Sequence, residues 1–270
     1  MTLSVVIITH NEEANLGRTL KSVQPLIRDG RGEIIVVDPG STDHTVEIAK
    51  SFGAKVFVEE WKGFAAQKNS AIDKATGDWI LSLDADEEVG ERALEFIRLV
   101  LTGSDEILSH SGGFWFSRRN YFLGRWMRHG GFYPDKKLRM FKRGAGYFED
   151  RAVHEDIRLN RGGQAYDATL RHDPGGGYDI IHHSYATLSD YIEHMNRYSS
   201  LGAEMVVANC NGKVRFSVIN IVLRPLATFV YNYFFRLGFL DGCEGLLLHL
   251  YHAAYVSWKY AKARELSRKR

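Results

Sequence analysis

The stretch Gly77-Asp78-Trp79-Ile80-Leu81-Ser82-Leu83-Asp84-Ala85-Asp86-Glu87-Glu88 decides how the chain is read. A turn dipeptide opens it, and a five-residue apolar run follows. Two carboxylates then stand at i and i+2. An apolar run of that length, bounded by turn residues, is expected to be a strand covered on both faces. Carboxylates two apart at its end leave the strand on the same side, where they suit a hard divalent cation that also holds phosphate oxygens. A lone pair of this kind is common in turns. Its place after a buried strand, with Glu87 and Glu88 following, makes a cation site the sharper reading and a cap for the helix expected over 91–101 the plainer one.

Working outward, Leu3–Thr9 and Glu33–Asp38 read as two more buried strands, and Lys55–Val58 as a short one. Helices are expected from Asn11 to about Val23, from Ser41 to about Phe52, over Phe64–Ala75 and over Glu91–Leu101. Strand-helix alternation with short connections implies a mostly parallel sheet with right-handed crossovers. Ligands in such sheets sit beyond the carboxyl ends of the strands. Those ends are Thr9-His10-Asn11, Asp38-Pro39-Gly40 and Asp84-Ala85-Asp86, so one acidic crevice is expected. Within it Asp38 can accept an imide or amino proton from a nucleobase. Thr9, Asn11 and Glu12 offer further hydrogen bonds, and capping is the structural alternative for Asn11 and Asp43. From Gly112 to Tyr185 the pattern turns strand-like, with strands at Phe114-Trp115-Phe116 and Leu138–Phe141. A helix follows over Ser189–Asn209.

Composition narrows the class. The chain has 270 residues, 25% charged and 44% hydrophobic, with 26 Gly and 5 Pro, which excludes disordered, collagen-like and coiled-coil proteins. Two cysteines exclude a disulfide framework and fit a reducing compartment. The start lacks a basic leader, and no apolar stretch is long enough for a simple spanning helix. Residues 213–270 carry ten Lys and Arg against three acids, among many aromatics. That segment is too apolar to track nucleic-acid phosphates. It fits an anionic membrane surface better, through rings such as Phe229, Tyr231 and Trp258 and the terminal bases Lys259, Lys262, Arg264, Arg268, Lys269 and Arg270. No G-x-G-x-x-G follows the first strand and no P-loop is present, which removes the main support for a dinucleotide or P-loop enzyme.

Several ordered motifs carry a family resemblance: Val5-Val6-Ile7-Ile8-Thr9-His10-Asn11-Glu12; Ile35-Val36-Val37-Asp38 with Gly40, Ser41, Asp43 and Thr45; Lys68-Asn69 with Ala71-Ile72; and Gly77 through Glu87. Together they resemble a family 2 inverting glycosyltransferase of the GT-A fold. The nearest branch contains lipopolysaccharide-core β-1,4-glucosyltransferases. Tyr133-Pro134-Asp135, Leu138–Phe141, Val153-His154-Glu155 and Gly238–Gly242 are similar to that branch too. Pro39 departs from the pattern, where Asp or Ser is commoner.

The resemblance implies an α/β GT-A domain over residues 1–210, with a donor half at 1–110 and an acceptor half at 111–210. A helical, membrane-associating segment would follow at 211–270. It implies a nucleotide-sugar donor, usually UDP-linked, and a lipid-linked or saccharide acceptor at the inner face of the cytoplasmic membrane. Thr9, Asn11, Glu12 and Asp38 would hold the nucleoside, Lys68 the base or diphosphate, and Asp84 the ribose. Asp86 would hold Mg²⁺ or Mn²⁺. Inverting displacement needs a carboxylate base opposite the leaving diphosphate. Glu155 is expected in that role, Asp156 as the second choice, with His154 orienting it or merely structural. His182-His183 read either as a further metal or phosphate contact, His183 included, or as an ordinary strand-end pair. Arg139 reads either as a diphosphate contact or as the partner of an acid such as Asp135. A nucleotide-sugar-binding protein without transfer, and a nucleotidyltransferase, stand as alternatives. The second would need a Gly- and Lys-bearing phosphate loop that residues 9–15 lack.

Overall fold

A computed structural model describes residues 1–28, 30–149, 156–160, 163–168, 177–210, 214, 215 and 217–269. The chain divides into two compact units, Met1–Arg118 with Lys136–His182, and Arg119–Asp135 with His183–Arg270.

The first unit is built on the apolar runs. Strands β1 (Leu3–Ile8), β2 (Gly32–Asp38), β3 (Lys55–Val58) and β4 (Trp79–Asp84) lie parallel in the order β3-β2-β1-β4. Beyond β4 the sheet continues antiparallel through β8 (Asp135–Lys142), then β6 (Gly113–Phe122), β12 (Asp179–Tyr185) and β5 (Glu87–Val89). Short strands β7 (Arg125–Trp126), β9 (Gly146–Phe148), β10 (Ile157–Leu159) and β11 (Ala165–Asp167) complete the set, and unit boundaries fall inside β6, β8 and β12.

Strand alternation sorts the core into two layers. Leu3, Val5, Ile7, Ile34, Val36, Trp79, Leu81 and Leu83 face helices α1 (Leu16–Ile27) and α4 (Glu91–Thr102), which bury Leu16, Leu20 and Val23, and Phe96, Ile97 and Val100. On the other face Val6, Ile35, Val37 and Ile80 pack with α3 (Phe64–Asp73) through Ala65 and Ala71. Helix α2 (Thr45–Ser51) closes the β2–β3 crossover. The helix expected from Asn11 begins only at Leu16, because Asn11 takes a left-handed φ of 56° and residues 11–15 turn beneath the crevice.

In the second unit, α6 (Leu188–Asn209) starts at a reciprocal cap. Asp190 N–H donates to Thr187 Oγ1 at 3.2 Å, and Thr187 N–H to the Asp190 carboxylate at 3.1 Å. It packs along α8 (Gly242–Arg268) with Ala203, Val207 and Ala263 buried between them. That packing joins residues 183–210 to the tail, whereas the sequence pattern divides the chain after residue 210. A run of π-helical turns, Ile219–Leu223 and Tyr231–Phe235, flanks α7 (Arg224–Val230). No helix among the described residues is long and apolar enough to cross a membrane.

One surface carboxylate ties the sheet edge together. Glu33 Oε1 accepts from Ser4 Oγ (2.7 Å) and from Thr76 N–H (2.8 Å) and Oγ1 (2.7 Å), while Oε2 meets Lys55 Nζ at 2.7 Å. Partial burial opposes ionisation, but the Lys55, Ser4 and Thr76 bonds outweigh it and bring the carboxyl from 4.5 down to about 2. A depressed folded-state value stabilises above 4.5, and the contribution is lost as pH falls toward about 2. Urea unfolding across that window should therefore show wild type losing stability more steeply than Glu33→Gln. Parallel curves would contradict the assignment.

Candidate active site

The carboxyl ends of β1 and β2 are knitted into one rim. Thr9 and Asp38 follow directly on a paired register and point to the same face, where Thr9 Oγ1 donates to Asp38 Oδ2 at 2.7 Å. Asp38 is fully buried and also accepts from Gly40 N–H (2.8 Å), Ser41 N–H (2.6 Å) and Ser41 Oγ (2.6 Å). Gly40 takes a φ of +98°, a conformation that glycine adopts without strain. Burial would raise the Asp38 pKa, but these donors lower it. Four donors match a carboxylate's acceptor capacity. In this state Asp38 shapes the loop.

The two loops cap one another. Asn11 N–H donates to Ser41 Oγ (2.8 Å), and its Oδ1 accepts from Thr42 N–H (2.9 Å). Glu12 N–H donates to Thr45 Oγ1 (2.7 Å), and Glu13 N–H to Asp43 Oδ2 (3.1 Å). Asp43 Oδ1 also accepts from Thr45 N–H at 3.0 Å, a turn bond just ahead of α2, whose cap position is His44. The Glu12 side chain accepts from Asn15 Nδ2 at 3.0 Å. Its pKa is raised, by burial first and then by the charges of Asp86, Asp43 and Asp84, with the Asn15 bond opposing.

At the end of β4 the paired acids have separate partners. Asp84 Oδ1 meets Lys68 Nζ at 2.7 Å, and Oδ2 meets Arg139 Nη2 at 2.7 Å. Burial acts to raise the Asp84 carboxyl, and the charges of Arg139 and Lys68 overcome it to hold the group well below its usual range. Arg139 reaches Asp84 because β8 runs antiparallel to β4. The same guanidinium also binds Glu87, which is fully buried, while Arg118 approaches Glu87 at 3.4 Å. Arg139 thus pairs with Asp84 and Glu87, not with Asp135. Lys68 lies over the Phe148 ring at 5.0 Å, and its neighbour Asn69 clamps the Phe148 backbone with bonds of 2.9 and 2.8 Å.

Asp86 faces His182 Nε2 at 3.2 Å, with side-chain exposures of 23% and 16%. Its carboxyl is lowered: burial opposes, and the His182 charge and hydrogen bond prevail. His183, the next residue on β12, points elsewhere and stacks on Tyr121 in the second unit at 5.5 Å. Strand alternation was the signal that could have chosen His182 over His183. Arg118 and the burial of Glu87 had no sequence signal, because both depend on which strands pair.

Among the described residues no three His, Cys, Asp or Glu side chains are arranged to hold a metal on their own. A partly open carboxylate beside an imidazole, with Glu12 and Asp84 adding negative charge, nevertheless fits a divalent cation that completes its shell with diphosphate oxygens. Glu155 and His154 lie outside the described residues. Asp156 is described and meets Lys137 Nζ at 3.1 Å.

A parallel β3-β2-β1-β4 sheet with a polar rim at its carboxyl ends, extended by further strands, is the arrangement of a GT-A fold. The chain belongs to glycosyltransferase family 2: that family's model matches residues 4–144. It is 30% identical over 277 residues to an uncharacterised glycosyltransferase of Rickettsia typhi, covering 99% of this chain and 88% of that one. It is 29% identical over 284 residues to the lipopolysaccharide core biosynthesis glycosyltransferase LpsC of Rhizobium meliloti, covering 98% and 95%. Among solved structures it resembles a mannosyltransferase of Pyrobaculum calidifontis in complex with GDP-Man and Mn²⁺. The TM-score is 0.55 at 16% identity, over 97% of this chain and 86% of that one, a likeness of fold.

Breaking the buried Arg139–Glu87 pair strands an uncompensated charge, which typically costs about 3 kcal/mol or more. Arg139→Met should lose stability on that scale in urea unfolding. A loss below about 1 kcal/mol, the range of an exposed pair, would show that Arg139 is not the anchor of the cluster.

Proposed function

We propose that this glycosyltransferase moves a sugar, with inversion, from a nucleotide diphosphate donor to a hydroxyl of a lipid-linked or lipopolysaccharide-type acceptor. The reaction would take place at the inner face of the cytoplasmic membrane. The observation that carries the reading is the division of labour at the end of β4: Asp84 is neutralised by Lys68 and Arg139, while Asp86 stands beside His182. UDP is the first nucleotide to test, on the motif resemblance, and GDP the second. The lipopolysaccharide-type acceptor is supported by the name of the Rhizobium relative.

In this reading Thr9, Asn11, Glu12 and Asp38 shape and line the nucleoside pocket. Asp84 receives the ribose, and Lys68 lies close enough to exchange its bond with Asp84 for one to the diphosphate. Asp86, with His182, would hold Mg²⁺ or Mn²⁺. When bound, the cation offsets the charge that develops on the leaving diphosphate. Arg139 keeps Asp84 ionised and in place. Glu155 takes the acceptor proton as the hydroxyl attacks the anomeric carbon from the face opposite the leaving group. Asp156, already paired with Lys137, is the second choice for that role.

Asp86→Ala should abolish transfer at every Mn²⁺ concentration while leaving the unfolding midpoint near wild type. Full activity of the wild-type protein in excess chelator would overturn the cation assignment. Glu155→Gln should lower turnover by about 10²–10⁴-fold, the range for a lost general base, with donor affinity unchanged by calorimetry. Normal transfer by Glu155→Gln together with a dead Asp156→Asn would move the base by one residue.

A further inference from the structure

The second unit carries an apolar surface that its own fold leaves uncovered. One side of the helical run Ile219–Leu223, α7 and Tyr231–Phe235 rests on α8. There Pro225 is buried, Ser257 Oγ donates to the Ile221 carbonyl at 2.9 Å, and the Arg224 guanidinium lies 5.1 Å from the centre of the Tyr260 ring. The other side is open: Ile219 is 63% exposed, Leu226 57%, Phe234 54% and Phe235 75%, and Leu240 beyond the run is 50% exposed. Isolated exposed apolar residues are ordinary, but a run of this length on one element is an interaction surface.

Charge selects the occupant. No Asp or Glu occurs between Glu204 and Asp241, while Arg215 and Arg236 flank the apolar positions and are exposed; Arg224 bonds the Tyr260 hydroxyl on the covered side. A second copy of the chain would set arginines against arginines. An anionic lipid surface matches both features, with apolar side chains entering the acyl boundary and Arg215 and Arg236 beside the headgroups. The run is about 25 Å long at helical rise and carries an arginine within it, so it lies along the surface and does not span it.

Three of the bases at the end of α8 have partners in the structure. Lys262 Nζ bonds the Asn196 carbonyl (2.7 Å), Asn196 Oδ1 (2.6 Å), Ser199 Oγ (2.7 Å) and Ser200 Oγ (2.9 Å). Arg264 donates to the Val214 carbonyl at 2.8 Å, and Lys269 pairs with Glu265 at 2.6 Å.

We infer that the segment Val218–Leu240, and not the basic terminus of α8, is the membrane seat of this enzyme. It inserts in the plane of an anionic bilayer, with Leu226, Phe234 and Phe235 as its apolar anchors. The inference extends the membrane-side reading above but stands apart from the transfer chemistry.

The test is co-sedimentation of the full chain with vesicles of phosphatidylglycerol and phosphatidylethanolamine, alongside donor hydrolysis measured without vesicles. A Leu or Phe side chain moved from water into lipid strengthens partitioning by at least about tenfold. Leu226→Glu/Phe235→Glu should therefore weaken vesicle binding by about a hundredfold. Arg268→Glu/Lys269→Glu should change it less than about threefold, and donor hydrolysis should be unchanged in both. Hydrogen exchange of wild type on vesicles should slow in peptides from 219–235 and not in those from 259–269, an arm that needs no variant. No vesicle binding by wild type would overturn the inference. So would loss of binding in the terminal variant alone, or a wild-type dimer that Leu226→Glu/Phe235→Glu dissolves. Vesicle binding without donor hydrolysis under any nucleotide sugar would leave the seat standing and remove the transfer reading.

Discussion

Arg139 clamped between Asp84 and Glu87 is the contact on which the crevice depends. Glu87 has no exposed surface and Asp84 is half-buried at the end of β4, so without the guanidinium two carboxylates would share a low-dielectric strand end. Burial alone would raise the Asp84 carboxyl toward its neutral form. With Arg139 in place, and Lys68 on the other oxygen of Asp84, Asp84 stays ionised, and the same guanidinium gives Glu87 a charged partner. The pairing also joins β8 to the strand end, because an antiparallel neighbour of β4 is what brings residue 139 to residue 84. Structure and electrostatics are therefore one constraint: the strand order that closes the sheet is also the strand order that neutralises its acids.

That constraint leaves Asp86 with a different task. It faces His182 from the antiparallel β12, and Asp84 and Glu12 both lie close enough to act on the charges around it. In the function proposed above, a neutralised carboxylate and one beside a histidine, separated by one alanine, would receive a ribose and a cation. The Lys68-Asn69 pair links this end of the sheet to β9, since Lys68 reaches Asp84 while Asn69 holds Phe148 by its backbone. Asn69 is thereby a positioning residue for the strand that precedes residues 150–155.

Much of this was legible in the sequence, for identifiable reasons. The four parallel strands were readable because both their faces are buried, so Val, Ile and Leu run without interruption. The polar loop ends followed from local hydrogen-bonding chemistry, with Asp43 closing a turn ahead of α2 rather than capping it. The partner of Arg139 was not readable: Asp135 is near in sequence, whereas Asp84 and Glu87 are near only once β8 has paired with β4. His182 and His183 were inseparable as letters and are separated by strand alternation. The start of α1 was misplaced because Asn11 and the acids after it look like a helix opening. They serve instead to cap the neighbouring loop. In the tail, charge and aromatics point to the whole of residues 211–270, Phe229 and Tyr231 as well as the terminal bases; of those bases Lys262, Arg264 and Lys269 have partners in the structure. What the letters do not show is which side of the run over residues 219–235 is covered by α8 and which is exposed.

The central claim, that Asp84 is internally neutralised while Asp86 and His182 take a cation shared with the donor, is tested most directly by Mn²⁺ titration followed by electron paramagnetic resonance, with and without UDP-sugar or GDP-sugar. Two protein ligands and a diphosphate make a shared shell, so the account predicts weak Mn²⁺ binding to the protein alone, much tighter binding in the presence of the correct nucleotide sugar, and loss of that gain in Asp86→Ala. Tight Mn²⁺ binding without nucleotide that survives Asp86→Ala would contradict it.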